Sequence, residues 1–185
     1  MKELFSALAL LTQSELDQLD GLLTAKNLKK GEFLIQEGEV CDEIVFLQSG
    51  VLRSFYKNSD GDEITNCITF EKELMAAFSS FVTQTPTDEN IQAVFDTELL
   101  VLKHGQLEAL YHNSIGWQKV GRVLAEKQYV GLERRIVSFQ KFSAKERYLE
   151  LFTLHPNYIQ RIPQHYLASF LGVTPRHLSR IRTTI

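Results

Sequence analysis

A chain of 185 residues, 44% hydrophobic and 23% charged, has ordinary globular composition and room for one domain or two small ones, which excludes disorder as its main state. No stretch approaches the ~20 apolar residues of a membrane-spanning helix. The formal net charge of −3 conceals a division: residues 1–113 carry 8 Lys+Arg against 19 Asp+Glu, whereas residues 114–185 carry 12 against 4, so two jobs are expected, the basic rear half attracting polyanions.

Leu8, Leu11, Leu16, Leu19, Leu22 and Leu23 recur at helical spacing and predict one or two short helices within residues 4–23. The period changes at Lys30. Gly31, Gly38, Gly50 and Gly61 punctuate short apolar runs. Ile44-Val45-Phe46-Leu47 predicts a buried strand, and residues 51–56 predict a second after the turn at Ser49-Gly50. Asn58-Ser59-Asp60-Gly61 is a hairpin signal, because Asp-Gly tolerates the positive φ of tight hairpin turns. Ile64, Asn66, Ile68 and Phe70 then alternate with Thr65, Cys67 and Thr69, and residues 91–95 and 99–102 give two more strands. Short strands with turn signals about every ten residues predict an all-β sandwich or barrel.

After His104 the helical period returns. Residues 106–111 predict a short helix, and residues 114–140 contain no Pro and can form one of roughly 25 residues, about 37 Å long. Its apolar positions Ile115, Trp117, Val120, Leu124, Leu132 and Ile136 must be buried, on the chain's own barrel or against a second subunit. Ser143-Ala144-Lys145-Glu146 is a capping box that opens a helix carrying Tyr148, Leu149, Leu151 and Phe152; His155-Pro156-Asn157 ends it. The connection over residues 156–162 is short, and the chain stops soon after its last helix, so any wing is expected to be reduced.

Residues 164–183 hold the sharpest pattern. Ala168 is small where a second helix crosses, Gly172 permits a left-handed turn, Thr174 is an N-cap and Pro175 occupies the first helical position. Leu171, Val173, Leu178 and Ile181 form a small core. This spacing predicts a helix-turn-helix. On its second helix Arg176, Ser179, Arg180 and Thr183 fall at i, i+3, i+4 and i+7, one face opposite Leu178 and Ile181. Two arginines and two hydroxyls on one face can read base edges and phosphates, with Thr174, Ser179 and Thr183 fixing register; His177 lies to the side.

These pieces together resemble the Crp/Fnr family of bacterial transcription regulators: Lys30-Gly31-Glu32, Glu37-Gly38-Glu39, Phe46-Leu47-Gln48-Ser49-Gly50-Val51-Leu52-Arg53 and residues 167–182. The resemblance runs from about residue 4 to the end. It implies an α+β chain in three parts. Residues 1–113 would be a jelly-roll, cyclic-nucleotide-binding-like β-barrel that senses an effector. Residues 114–140 would be a dimerisation helix, and residues 141–185 a winged-helix-type helix-turn-helix DNA-binding domain. The implied partners are double-stranded DNA with a palindromic operator, a second copy of the chain, and RNA polymerase; the small-molecule effector is unassigned, and neither cofactor nor membrane is implied.

The chain departs from the family's phosphate cassette. Its Gly-Glu-Leu reads Lys72-Glu73-Leu74, and its phosphate-holding arginine pair falls at Thr87-Asp88, followed by Glu89. The polar pair that meets the purine falls near Leu132-Glu133. Glu73, Thr87 and Asp88 therefore mark a degenerate effector pocket, and no response to cAMP is expected. On the reading helix, Pro175-Arg176 stands where many members have Arg-Glu, while Arg180 fits the second arginine.

Two other readings compete. A sensor or adaptor of the same barrel type that does not read DNA would have no reason to keep outward arginines on a capped second helix. An enzyme would need a nucleophile motif, a phosphate loop, a dinucleotide fingerprint or a ligand cluster, and none is found; histidines 104, 112, 155, 165 and 177 have no ligand spacing. Cys41 and Cys67 are too few for a disulfide framework or a Cys-rich metal site and read as thiols in a reducing cytoplasm. The apolar residues 4–11 lack a following small-residue cleavage site, so a cytoplasmic protein is expected.

Overall fold

The computed structural model describes residues 1–184; Ile185, the last residue of the expected DNA-binding segment, lies outside them. In chain order the elements are α1 (Lys2–Ser6), α2 (Gln13–Asp17) with a 3-10 turn (Gln18–Gly21), β1 (Thr24–Leu28), β2 (Phe33–Ile35), β3 (Glu43–Ser49), β4 (Leu52–Lys57), β5 (Glu63–Thr69) and β6 (Leu74–Met75). Then follow α3 (Phe78–Thr83), β7 (Asn90–Ala93), β8 (Thr97–Lys103), α4 (His104–Asn113), α5 (Ile115–Lys141), α6 (Ala144–Leu154), α7 (Pro156–Arg161), α8 (Gln164–Phe170) and α9 (Pro175–Thr183). Contacts divide the chain into two compact units. One is Met1–Ser54 with Ile68–Lys127; the other is Phe55–Cys67 with the residues from Gln128 onward. The dividing lines fall inside α5 and inside the β4–β5 hairpin.

The strands form two four-stranded sheets, in the orders β1-β8-β3-β6 and β2-β7-β4-β5; all lie in the first unit except the outer part of the β4–β5 hairpin, residues 55–67, which belongs to the second. That interleaving is the jelly-roll order. The expected closed barrel does not form. Each sheet ends on a very short strand, β6 with two residues and β2 with three, so the ladders stop before they can join. The long ladders are antiparallel: Thr24 to Leu28 of β1 face Val101 to Thr97 of β8, and β3 pairs Glu43 with Lys103 and Val45 with Val101. Leu19, Val45, Leu47, Ile91, Leu99 and Trp117 are completely buried. Each such side chain contributes roughly 1.5–3 kcal/mol on leaving water. The Phe5 ring meets Trp117 edge-on at 5.2 Å. Of the apolar stripe on the long helix, expected to be buried on the chain's own barrel or against a second subunit, Trp117 and Val120 are core residues of the first unit.

Two backbone positions are demanding. Gly50 has φ +92°, and a Cβ there would lie 2.4 Å from Thr97 Oγ1 and 2.6 Å from the Asp96 carbonyl oxygen. Lys72, where a glycine is expected from the family's cassette, has φ +69° and donates its amide to the Leu47 carbonyl at 2.8 Å.

The second unit contains the tip of the β4–β5 hairpin and the helices from the C-terminal part of α5 through α9. The Asn58 turn forms as its residues dictate: Asn58 Oδ1 accepts from the amides of Asp60 (3.0 Å) and Asp62 (2.8 Å), and Gly61 takes φ +83°. The capping box at α6 is present, Ser143 Oγ accepting from the Glu146 amide and Glu146 Oε2 accepting from the Ser143 amide at 2.7 Å. α6 ends at Leu154, but Pro156, preset for a first helical turn, starts α7, so the stretch expected as a short connection is a helix. Tyr148, Leu151, Ile162, Leu167, Leu178 and Ile181 form the buried centre.

Two opposite substitutions test these backbone assignments by urea unfolding. Gly50→Ala should lose about 3 kcal/mol through strain and overlap with Thr97. Lys72→Gly should gain about 1 kcal/mol by relieving a left-handed non-glycine residue.

Candidate functional site

α8 and α9 are joined by a four-residue turn, residues 171–174. Gly172 takes φ +68°, and its amide and that of Val173 bond to the carbonyls of Ser169 and Ala168, both at 3.0 Å, which closes the end of α8. Thr174 caps α9, its Oγ1 accepting from the His177 amide at 3.2 Å, with Pro175 at the first helical position. Gln164 Nε2 donates to the Pro175 carbonyl at 3.2 Å, tying the start of α8 to the start of α9. Leu167, Ala168 and Leu178 are fully buried, with Leu171 and Ile181 nearly so; Val173, expected in the same core, is only half-buried.

The outer face of α9 carries Arg176, Ser179, Arg180 and Thr183, all exposed, with Leu178 and Ile181 on the inner face. Thr174 is exposed at the head of the same helix. The five sequence-selected residues therefore come together on one surface. Thr183 Oγ1 donates back to the Arg180 carbonyl at 2.9 Å. Arg182 turns away and is half-buried, its guanidinium 5.9 Å over the Tyr148 ring.

Sequence reasoning missed two basic residues that hold this pair in place. Arg147 donates Nε (3.2 Å) and Nη2 (2.9 Å) to the Leu171 carbonyl and Nη1 to the Phe142 carbonyl at 2.6 Å. Arg135 donates to the Phe170 carbonyl at 3.2 Å and lies 4.3 Å over the Phe170 ring. Both guanidiniums also stack on Phe139, at 4.6 Å and 4.9 Å. A Cβ on Gly172 would come 2.6 Å from Phe139 Cε1, so the turn packs directly on that ring. Cations at the carbonyl end of α8 complement its dipole. Burial pushes the Arg135 guanidinium below its usual pKa, with Arg147 nearby acting in the same direction. These charges brace the helix pair from behind and are not part of the exposed face. The usable signal was Arg135 four residues before Phe139 on one helix; Arg147 lies on the next helix and gave none.

In the first unit, Glu73 lies in the β5–β6 turn, its carboxylate accepting from the Phe70 amide at 2.9 Å and its side chain exposed. Thr87 and Asp88 lie in the loop before β7. Thr87 is buried, and its hydroxyl accepts from the Glu89 amide at 3.0 Å; Asp88 is exposed. The Glu89 carboxylate accepts from the Ser54 hydroxyl. Arg53, on β4, is 2% exposed and donates to Gln92 Oε1 at 3.0 Å. Its burial was not legible, because residues 52–55 are all buried and show no alternation. Cys41 is buried, its thiol donating to the Glu43 carbonyl at 3.3 Å, and burial raises its pKa, so it stays a thiol. Among the described residues no group of three or more His, Cys, Asp or Glu could hold a metal ion, and no helix is long and apolar enough to cross a membrane.

Along α5 the C-terminal apolar residues are left open in the second unit. Tyr129 (67% exposed), Leu132 (46%), Ile136 (58%) and Phe139 (40%) follow one another at spacings of three, four and three.

Residues 25–114 match the cyclic nucleotide-binding domain family. No curated protein sequence matches the chain. Similar solved structures include FixK2 from Bradyrhizobium japonicum, 16% identical with a TM-score of 0.76 over 88% of this chain and 83% of that one. A regulator of the crp/fnr family from Eubacterium rectale is 20% identical, TM-score 0.70, over 94% and 83%. The c-di-GMP responsive global regulator CLP of Xanthomonas campestris is 13% identical, TM-score 0.71, over 94% and 91%.

If Arg147 holds the turn, Arg147→Ala should destabilise the protein by about 1.5–3 kcal/mol, the range for hydrogen bonds to a charged group. Arg147→Lys should fail to restore it, because an ammonium cannot reproduce the planar fork. Thermal melts of the three proteins decide this.

Proposed function

With a cyclic nucleotide-binding domain at residues 25–114 and the fold of Crp/Fnr-type regulators along the chain as premise, we propose that this protein is a dimeric, sequence-specific DNA-binding transcription regulator of that type. In this reading residues 1–113 sense, residues 114–140 dimerise and residues 141–185 read DNA. The observation that carries the reading is the exposed face of α9. Arg176, Ser179, Arg180 and Thr183 share one side of a capped helix whose other side is sealed by Leu178 and Ile181. An adaptor that ignored DNA would gain nothing from arginines held outward in this way.

α9 is the recognition helix of a helix-turn-helix and enters the major groove. Arg176 and Arg180 donate pairs of hydrogen bonds to guanine O6 and N7, and a good bidentate pair discriminates by about 1–3 kcal/mol. Thr174, Ser179 and Thr183 bond phosphates and set register. One helix-turn-helix covers one half-site, so a second copy is needed for a palindromic operator. The open residues Tyr129, Leu132 and Ile136 have the 3-4 spacing of a coiled-coil seam and are the surface for that copy. The protein works in the cytoplasm, with RNA polymerase as a further partner, and is not an enzyme.

The sensor does not answer to cAMP. A buried cyclic phosphate needs a paired cation, since an unpaired buried charge costs several kcal/mol. At the family's arginine position stands Thr87, whose hydroxyl is already engaged, beside Asp88 and the carboxylate of Glu89.

Two measurements check these claims. Binding to DNA selected from a random pool should show Arg180→Ala relaxing preference at one base position per half-site. Uniform weakening on all sequences would instead make Arg180 a phosphate contact. Calorimetry with cAMP and cGMP should give no dissociation constant below ~10 μM, about −7 kcal/mol; tighter binding would overturn the assignment of the pocket.

A further inference from the structure

β5 is an edge strand of its sheet. An edge presents backbone groups that no neighbouring strand takes, and residues two apart present theirs to the same side. Here the edge is met by helices. Ser169 of α8 accepts from the Thr65 amide at 2.8 Å and donates to the Glu63 carbonyl at 2.8 Å. One hydroxyl thus does what the N–H and C=O of a missing strand residue would do. The Thr65 carbonyl is taken by Arg135 Nη2 at 3.3 Å, the same nitrogen that reaches the Phe170 carbonyl at 3.2 Å. Thr65 is completely buried beneath this contact.

Ser169 and Phe170 are the last two residues of α8, immediately before the turn into α9. The contact therefore fixes the end of α8 from which α9 is aimed, while Arg176, Ser179, Arg180 and Thr183 stay uncovered. β4 and β5 also continue into the four-stranded sheet with β2 and β7. Two hydrogen bonds join this hairpin directly to α8, and a third joins it to Arg135 of α5.

We propose that Ser169 and Arg135 are positioning residues for DNA reading: they latch the edge of the β4–β5 hairpin to α8, and the latched hairpin presets the recognition helix for its groove. The proposal rests on the DNA-reading function proposed above. With the latch made, α9 is held before DNA arrives. With it broken, the helix pair must be ordered at binding, which lowers affinity without changing which bases are contacted.

The test compares the full-length wild type with Ser169→Ala and Ser169→Thr. Thr65 amide hydrogen exchange is measured by NMR, and affinity is measured on DNA selected by the wild type. In Ser169→Ala, Thr65 exchange should rise at least tenfold, affinity should fall about tenfold, base preference should be unchanged, and the melting temperature should stay within a few degrees. Ser169→Thr, which keeps the hydroxyl, should restore both protection and affinity. Unchanged exchange would show that there is no latch. Faster exchange with unchanged affinity would show that the latch does not position α9. Failure of the DNA-reading function would appear separately, in a wild type that selects no DNA, and would overturn the positioning role with it.

Discussion

The end of α8 is where the chain has most to satisfy at once. The carbonyls of its last residue, Phe170, and of the C-cap Leu171 have no helical partner, and the turn must be tight enough to bring α9 back against α8. Arg135 and Arg147 supply the donors, and both are held over Phe139, which in turn packs on Gly172. A glycine is required by the left-handed φ and by the ring pressed against it. The direction of α9, and with it the exposure of Arg176 and Arg180, follows from this group.

The charge division along the chain has a physical explanation in two parts. Some of the excess positive charge of residues 114–185 sits on the outer face of α9, where it is exposed to solvent. Another part is structural: Arg135 and Arg147 bind carbonyls, and Arg182 covers Tyr148. A net charge says how strongly a segment attracts a polyanion, but not which cations can reach it.

Much of the architecture was legible because local rules and tertiary structure agree. The Asn58 turn, the Ser143 capping box, the Thr174 cap and the left-handed Gly172 appear where turn chemistry puts them. The α9 face was legible for the same reason, since helical spacing separates Leu178 and Ile181 from the residues opposite. What escaped were features decided by distant packing. Whether the strands close depends on the length of edge strands such as β6, which only two residues sustain. Trp117 and Val120 carry the same periodicity as Leu132 and Ile136, yet the first two are buried in their own unit and the last two are open. α7 was hidden because Pro156 reads equally as a helix end and a helix start. Ser169, an unremarkable helical serine, gains meaning only from a strand edge more than a hundred residues earlier. In the first unit, Lys72 has a left-handed φ of +69°, a conformation that the residue type at this position gave no sign of.

The central claim is that two copies of this chain read a two-fold symmetric DNA site through α9. Selection of bound sequences from a random duplex pool by the wild-type protein, followed by determination of the number of chains on the enriched site, tests it most directly. The account predicts an inverted repeat with half-site centres about 34 Å apart, bound by two chains. Enrichment of no sequence, or of a single asymmetric site bound by one chain, would contradict it.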